Sequence, residues 1–202
     1  MGTTSIVSIR LKGTPSAFSC CMKRRFVLAL LLTLSIRPLQ CATLERLSLE
    51  EMIAKSTVIV RAKATNSWAA FFGSVIYTHY QLRVSEHFKG LGRSTVEVVV
   101  PGGVVNNLRQ DFAGAPQLRA GDEYIFFLWT SRAGFTHVIG LTQGVFVVAP
   151  DGTRDPAVTR NVSREVMLDA GTGRQIKDQT LTMHLSELRA RIASTLARAG
   201  AK

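Results

Sequence analysis

The clearest pattern in the chain is an alternation. Ile76, Thr78, Tyr80, Leu82 and Val84 interleave with Tyr77, His79, Gln81, Arg83 and Ser85. Successive side chains on a strand point to opposite faces, so this period of two predicts a strand with Tyr80, Leu82 and Val84 towards a core and Arg83 towards water. Just upstream, Thr57–Lys63 (TVIVRAK) is β-branched and apolar enough for a first strand. Residues 64–73, with Trp68, Phe71 and Phe72, read as a loop carrying exposed aromatic rings. Lys89–Arg93 is a turn, Val96–Val100 a third strand, and Pro101-Gly102-Gly103 closes it. Tyr124–Trp129 is apolar at every position, as for a strand covered on both faces, with Phe126 towards the same core as Leu82. Phe135–Leu141 and Gly144–Val148 complete the strands.

Two helices are expected at the ends. Ser48-Leu-Glu-Glu51 is a capping-box pattern before Met52, Ile53 and Ala54, which predicts a short helix over 49–55. Leu181, Leu185, Leu188, Ile192 and Leu196 fall on one helical face and predict an amphipathic helix over 181–199. Between strands lies a Gly-rich connection, 101–121, with Arg109 and Asp111 in its middle and Gly114-Ala115-Pro116 near its end. Residues 150–180 form a polar excursion with a hairpin around 165–177. The whole predicts a mainly β domain over 43–149: a small barrel of five or six antiparallel strands, closed or nearly so, with the C-terminal helix packed on it.

The first 42 residues differ from the rest. Lys23-Arg24-Arg25 precedes an apolar run, Phe26–Ile36, broken by Pro38 and followed by Cys41-Ala42. That order of parts is a secretory signal peptide over 22–42, with Met22 as the natural start and the mature chain beginning between Cys41 and Leu44. The run is shorter than the roughly 20 residues needed to span a bilayer. Export to the periplasm or the outside is expected, with Cys41 unlipidated because Pro38 and Gln40 do not fit a lipobox. The formal charge of +11 shrinks accordingly: residues 1–42 hold six basic residues and no acid, and removing those six from 25 leaves 19 against 14 acidic, a net of +5. All three cysteines also lie in 1–42. A mature chain without thiols has no disulfide, no cysteine nucleophile and no thiolate metal site.

The remaining chemistry is sparse. His79, His87, His137 and His184 show no helical pairing and no HExxH, so no metal is expected. His79 reads as a solvent-facing strand residue. Ser85-Glu86-His87 are neighbours on a strand and cannot converge on one atom. There is no GxSxG elbow and no P-loop, and Gly90-Leu91-Gly92 and Gly171-Thr172-Gly173 read as turns. No enzyme activity and no cofactor are expected. Arg61, Lys63, Arg83, Lys89 and Arg93 gather in the first three strands and could meet an anionic polymer; export argues against nucleic acid.

Val58-Ile-Val-Arg-Ala-Lys63, the strand ending His87-Phe-Lys-Gly90, and Gly121-Asp-Glu-Tyr-Ile125 resemble the core of netrin-like domains, above all the inhibitory domain of the tissue inhibitors of metalloproteinases and a group of secreted bacterial proteins. The resemblance covers about 57–149 and implies an OB-fold barrel. Inhibitors of that family chelate a protease zinc through a mature N-terminal cysteine, stapled by disulfides; this chain has no cysteine framework for that, and the corresponding end lies near Thr43. Function is therefore expected to be that of an exported, non-enzymatic binding module. Its partner would be a protein, in the inhibitor version a secreted protease. The alternative is an envelope glycan or another anionic polymer. The expected partner-binding residues are Thr43, Trp68, Phe71, Phe72, Gly102, Gly103 and Arg109.

Overall fold

The computed structural model describes residues 43–163 and 165–200, so the expected signal peptide over 22–42, with Met22 and Cys41, lies outside the described residues. The chain opens with β1 (Thr43–Glu45) and then α1 (Leu49–Lys55). Helix α1 starts where its capping box dictates. The Ser48 hydroxyl accepts the Glu51 N–H at 3.2 Å, and the Glu51 carboxylate accepts the Ser48 N–H at 2.8 Å. At the other end, Lys89 Nζ donates to the Ile53 and Ala54 carbonyls at 2.8 and 3.1 Å, tying off acceptors that the helix leaves free.

Strands β2 (Val58–Phe72) and β3 (Val75–Lys89) form one long hairpin, turning at Gly73-Ser74. This corrects the expectation of a loop over 64–73. Ala64, Asn66, Ser67 and Ala69–Ala70 have weak strand preference, but β3 offers a ladder partner to each of them, and pairing outweighs propensity. Register shifts between Ile59 and Val60, Arg61 and Ala62, and Ala64 and Asn66 bend the hairpin.

After β4 (Thr95–Pro101), the Gly-rich connection holds a hairpin of its own, β5 (Gly103–Val105) and β6 (Leu108–Gln110). Its turn is Asn106-Asn107, both left-handed at φ 49° and 63°. Next come β7 (Glu123–Thr130), β8 (Thr136–Val138), a 3-10 turn at Leu141–Gly144, and β9 (Val145–Val148). The strand expected over 135–141 is thus shorter, because Gly140 and Leu141 take left-handed conformations that end it. The polar excursion contributes β10 (Ala157–Arg160), β11 (Val166–Leu168) and β12 (Gln175–Ile176). The β11–β12 pair is the expected hairpin, whereas β10 joins the main sheet. Finally β13 (Leu181–His184) pairs with β10, and α2 (Leu185–Gly200) follows. The C-terminal helix therefore begins four residues later than expected. Leu181 keeps its place against the core from a strand, and Asp155 caps the helix by accepting the Ser186 N–H and hydroxyl, both at 2.7 Å.

The fold is mainly β, with antiparallel pairing throughout the large sheet. Its order is β13-β10-β9-β7-β2-β3-β4, with β8 also on β7. β1 runs parallel to β11 in a second, three-stranded sheet. Strand β7 is covered on both faces, as its unbroken apolar run requires. Tyr124, Phe126 and Leu128 join Val60, Ala62, Leu82, Val98 and Val100 in one core, against which Tyr80 and Val84 also pack. Ile125 and Phe127 join the other, with Ile59, Phe146, Met52 and Ile53 of α1, and Leu188 and Ile192 of α2. Arg189 fastens α2 to β3 through Glu86 at 2.8 Å. None of the described helices is long and apolar enough to cross a membrane.

Two polar ties are buried. The Gln143 amide accepts the Leu47 N–H and donates to the Glu45 carbonyl, each at 2.9 Å, and so holds the N-terminal segment as a strand would. Arg160 donates to Asp178 at 2.7 Å and to the Gln179 carbonyl at 2.8 Å, while the second Asp178 oxygen accepts the Ser163 N–H at 2.8 Å.

Candidate binding surface

The ladder brings Trp68, His79 and Val99 into one row across β2, β3 and β4. Trp68 stacks on the His79 ring, with centroids 5.2 Å apart and planes 10° from parallel. The Glu97 carboxylate lies 2.7 Å from His79 Nδ1, so that nitrogen carries the proton and donates, fixing the ring against the indole. With its side chain only 16% exposed, His79 is not the solvent-facing residue expected from the alternation alone.

Nearer the hairpin tip, Phe72 meets Tyr77 and Phe135 edge-on, at 6.5 and 5.3 Å between ring centres. Phe135 belongs to the turn between β7 and β8. His137 on β8 sits beside Trp129 and Phe135 and donates from Nδ1 to the Val99 carbonyl at 3.3 Å. Together Ala70, Phe71, Phe72, Tyr77, His79, Val99, Phe135 and His137 line a cavity of about 400 Å³. Its rim is exposed: Phe72 is 63% accessible, and Trp68, Phe71 and Trp129 each more than 40%. Large aromatic rings left open on one hairpin are the side chains that anchor interfaces. With Nδ1 of both rings engaged as a donor, the surface combines flat apolar faces with two fixed polar points.

The other expected residues have different surroundings. The Gly102 N–H donates to the Ile76 carbonyl at 2.8 Å, and its own carbonyl accepts from the Thr78 hydroxyl at 2.7 Å. A Cβ on Gly103 would stand 2.6 Å from that hydroxyl, so the glycine lets the β5–β6 hairpin dock against β3. Gln110 fastens the same hairpin by accepting the Ile76 N–H at 2.7 Å and donating to the Ser74 carbonyl at 2.9 Å. Arg109 is exposed and donates from Nε to both Asp111 oxygens, which raises its pKa further. It lines a separate cavity of about 240 Å³ with Gly102, Gly103 and Phe112. Thr43 pairs with Val166 on the second sheet, and the following Leu44 lies against Gly114 of the connection. Thr43 lines neither cavity.

Among the described residues no three His, Cys, Asp or Glu side chains are placed to hold a metal. Ser85, Glu86 and His87 diverge to Glu123, Arg189 and the Arg93 carbonyl respectively. Of the basic cluster, Arg61 is paired with Glu123 at 2.5 Å and Lys89 caps α1, where burial lowers its pKa. Phe135, His137 and Trp129 complete the aromatic surface without having been singled out in the sequence for binding; they reach it through the β7–β8 turn. Compared with protein-family models and with curated proteins, the chain matches none.

Proposed function

We propose that this chain is an exported, non-enzymatic module that binds another protein through the aromatic face of the β2–β3 hairpin. One observation carries the reading: Trp68, Phe71, Phe72 and Trp129 are exposed in or beside a cavity whose two histidines are held by Glu97 and by the Val99 carbonyl. Four large rings kept in water need a ligand to justify them, and a protein surface supplies the apolar area they match. The polyanion alternative draws less support, because Arg61 and Lys89 are already engaged within the fold.

We read the large sheet as a partly open OB-like barrel of the netrin type. In favour stand the inner core shared by β2, β3, β4 and β7, and the His137 bridge from β8 to β4. For the inhibitor version, the favourable feature is the meeting of Leu44 with the connection at Gly114, which sets a composite edge beside the N-terminal strand.

The test is a titration of residues 43–202 against the secreted metalloproteases of the host. Phe72→Ala is expected to weaken binding by about 30-fold, the effect of losing a 2 kcal/mol anchor. One extra residue ahead of Thr43 should leave it unchanged. Loss on extension would transfer the contact to a zinc-directed N-terminus. Indifference to both changes, with loss at high salt, would give the case to the polyanion alternative.

A further inference from the structure

Strand β4 is the last strand of the large sheet, and among the described residues no strand pairs with its outer edge. The direction of each main-chain group on it follows from two bonds. The Ser94 carbonyl accepts the Val84 N–H at 2.9 Å, so Ser94, and by alternation Val96, Val98 and Val100, turn their main-chain groups to β3. Thr95, Glu97 and Val99 turn theirs outward. The Val99 carbonyl agrees, since it accepts from His137 on the far side.

The opposite wall is β8 and its turn. The Phe135 carbonyl accepts the Ser131 N–H at 2.8 Å, and the Ile139 N–H donates to the Phe127 carbonyl at 2.9 Å. Odd residues of this segment therefore face β7, and Thr136 and Val138 turn their main chain to the seam. At one end the seam is bridged by His137. At the other it opens into a cleft of about 720 Å³, with Thr95 and Glu97 on one wall and Ala133 and Thr136 on the other. Leu91, 75% exposed, and Phe135 supply apolar surface at its mouth, and Arg93 and Glu97 supply one charge of each sign.

We propose that this seam takes an extended polypeptide segment of a partner protein, which adds to β4 as a further strand. The inference rests on the protein-binding reading and deepens it by naming the conformation of the bound segment. The occupant is identified by the edge itself. Outward N–H and C=O groups recur together at every second residue, and a peptide main chain is the ligand that answers both at that spacing. A glycan or a polyphosphate does not. The edge is also limited in length. Pro101 has no N–H to offer and the Val99 carbonyl is taken by His137, so pairing is confined to Thr95, Glu97 and the Val99 N–H, which suits capture of a short segment and discourages open-ended sheet growth. Opposite charges at the mouth favour a segment of balanced charge.

The experiment starts from a display library of random seven-residue peptides selected on the protein as its host produces it. The winning peptides are resynthesised with one backbone N-methyl group at each position in turn, and affinities are read by fluorescence anisotropy. Strand pairing predicts at least tenfold weakening at alternate positions and little change between them. Glu97→Pro removes one outward N–H and should weaken the unmethylated peptides to the same degree. Glu97→Gln keeps that N–H and an acceptor for His79 Nδ1, so it should weaken them less than threefold, the effect of one lost charge at the mouth. Peptides whose binding ignores both the methyl pattern and Glu97→Pro, but falls with Phe72→Ala, would overturn the seam and leave the aromatic face standing. Seam binding with a partner protein indifferent to Phe72→Ala would do the reverse. Failure to select any peptide overturns the proposal, as does a concentration-dependent dimer abolished by Glu97→Pro, which would assign the edge to a second copy.

Discussion

Replacing Asp178 with Ala should be among the most damaging single changes in this fold. Its side chain is 2% exposed and that of its partner Arg160 5%. The substitution removes the acceptor at 2.7 Å from the guanidinium and leaves it only the Gln179 carbonyl; Arg160 Nε already has no partner. It also orphans the Ser163 N–H. Breaking a buried ion pair from one side costs about 3–5 kcal/mol, and the stranded amide about 1–3 kcal/mol on its own. The two losses share one site and do not add in full, so about 4 kcal/mol is expected, or roughly 8–16 °C in melting temperature for a domain of this size. The assay is urea unfolding followed by circular dichroism, at low salt and at about 0.5 M NaCl. A buried pair is screened little, so the loss should be the same in both. Arg160→Met with Asp178→Leu should recover the part due to the stranded charge, while the unpaired Ser163 N–H keeps its share of the loss. A loss under about 1 kcal/mol, or one that vanishes in salt, would refute the assignment of this pair to the interior.

Two further changes probe the sheet. Leu82→Ala should cost about 2–5 kcal/mol and Arg83→Ala less than about 0.5 kcal/mol, since Leu82 is fully buried in the inner core while its neighbour faces water; equal denaturation midpoints would contradict the strand's two faces. Glu123 tests the acid limb of stability. Burial pushes its pKa up, but hydrogen bonds from Arg61 and Ser85 and the charges of Arg61 and Lys63 outweigh this, so the net shift is below 4.5. A depressed carboxylate stabilises above its unfolded pKa and loses that contribution as pH falls through the folded value. Glu123→Gln should therefore lower stability at pH 7 by about 1.5–3 kcal/mol and flatten its decline below about pH 4.5. Parallel acid-unfolding curves for the two proteins would count against the linkage.

How much of this could be read from the chain depends on the range of the interaction. Ser48 and Glu51 lie three residues apart, and their capping box places α1 to the residue. The unbroken run at Tyr124–Trp129 foretells a strand between two cores. The far half of β2 is not visible in the same way, because Ala64–Ala70 becomes a strand only through β3. With it goes the row of Trp68, His79 and Val99, whose register cannot be written down while 64–73 is taken for a loop. Leu181 fits the helical spacing of α2 and yet is a strand residue, since a short apolar spacing serves either period. Arg160 and Asp178 are 18 residues apart, on a strand and a loop, and nothing local marks them as partners.

The parallel pairing of β1 with β11 bears on the order in which the molecule can be made. Thr43 meets Val166, so the first strand described waits for a partner near the end of the chain. At about 5–20 residues per second the roughly 120 intervening residues take on the order of 6–25 s to synthesise. Through that interval the backbone at Thr43–Glu45 has no ladder, and Leu47 can gain Gln143 only late in the same period. The three-stranded sheet is therefore among the last parts of the molecule to form, and the backbone of its first strand stays open to solvent until the segment around Val166 has been made.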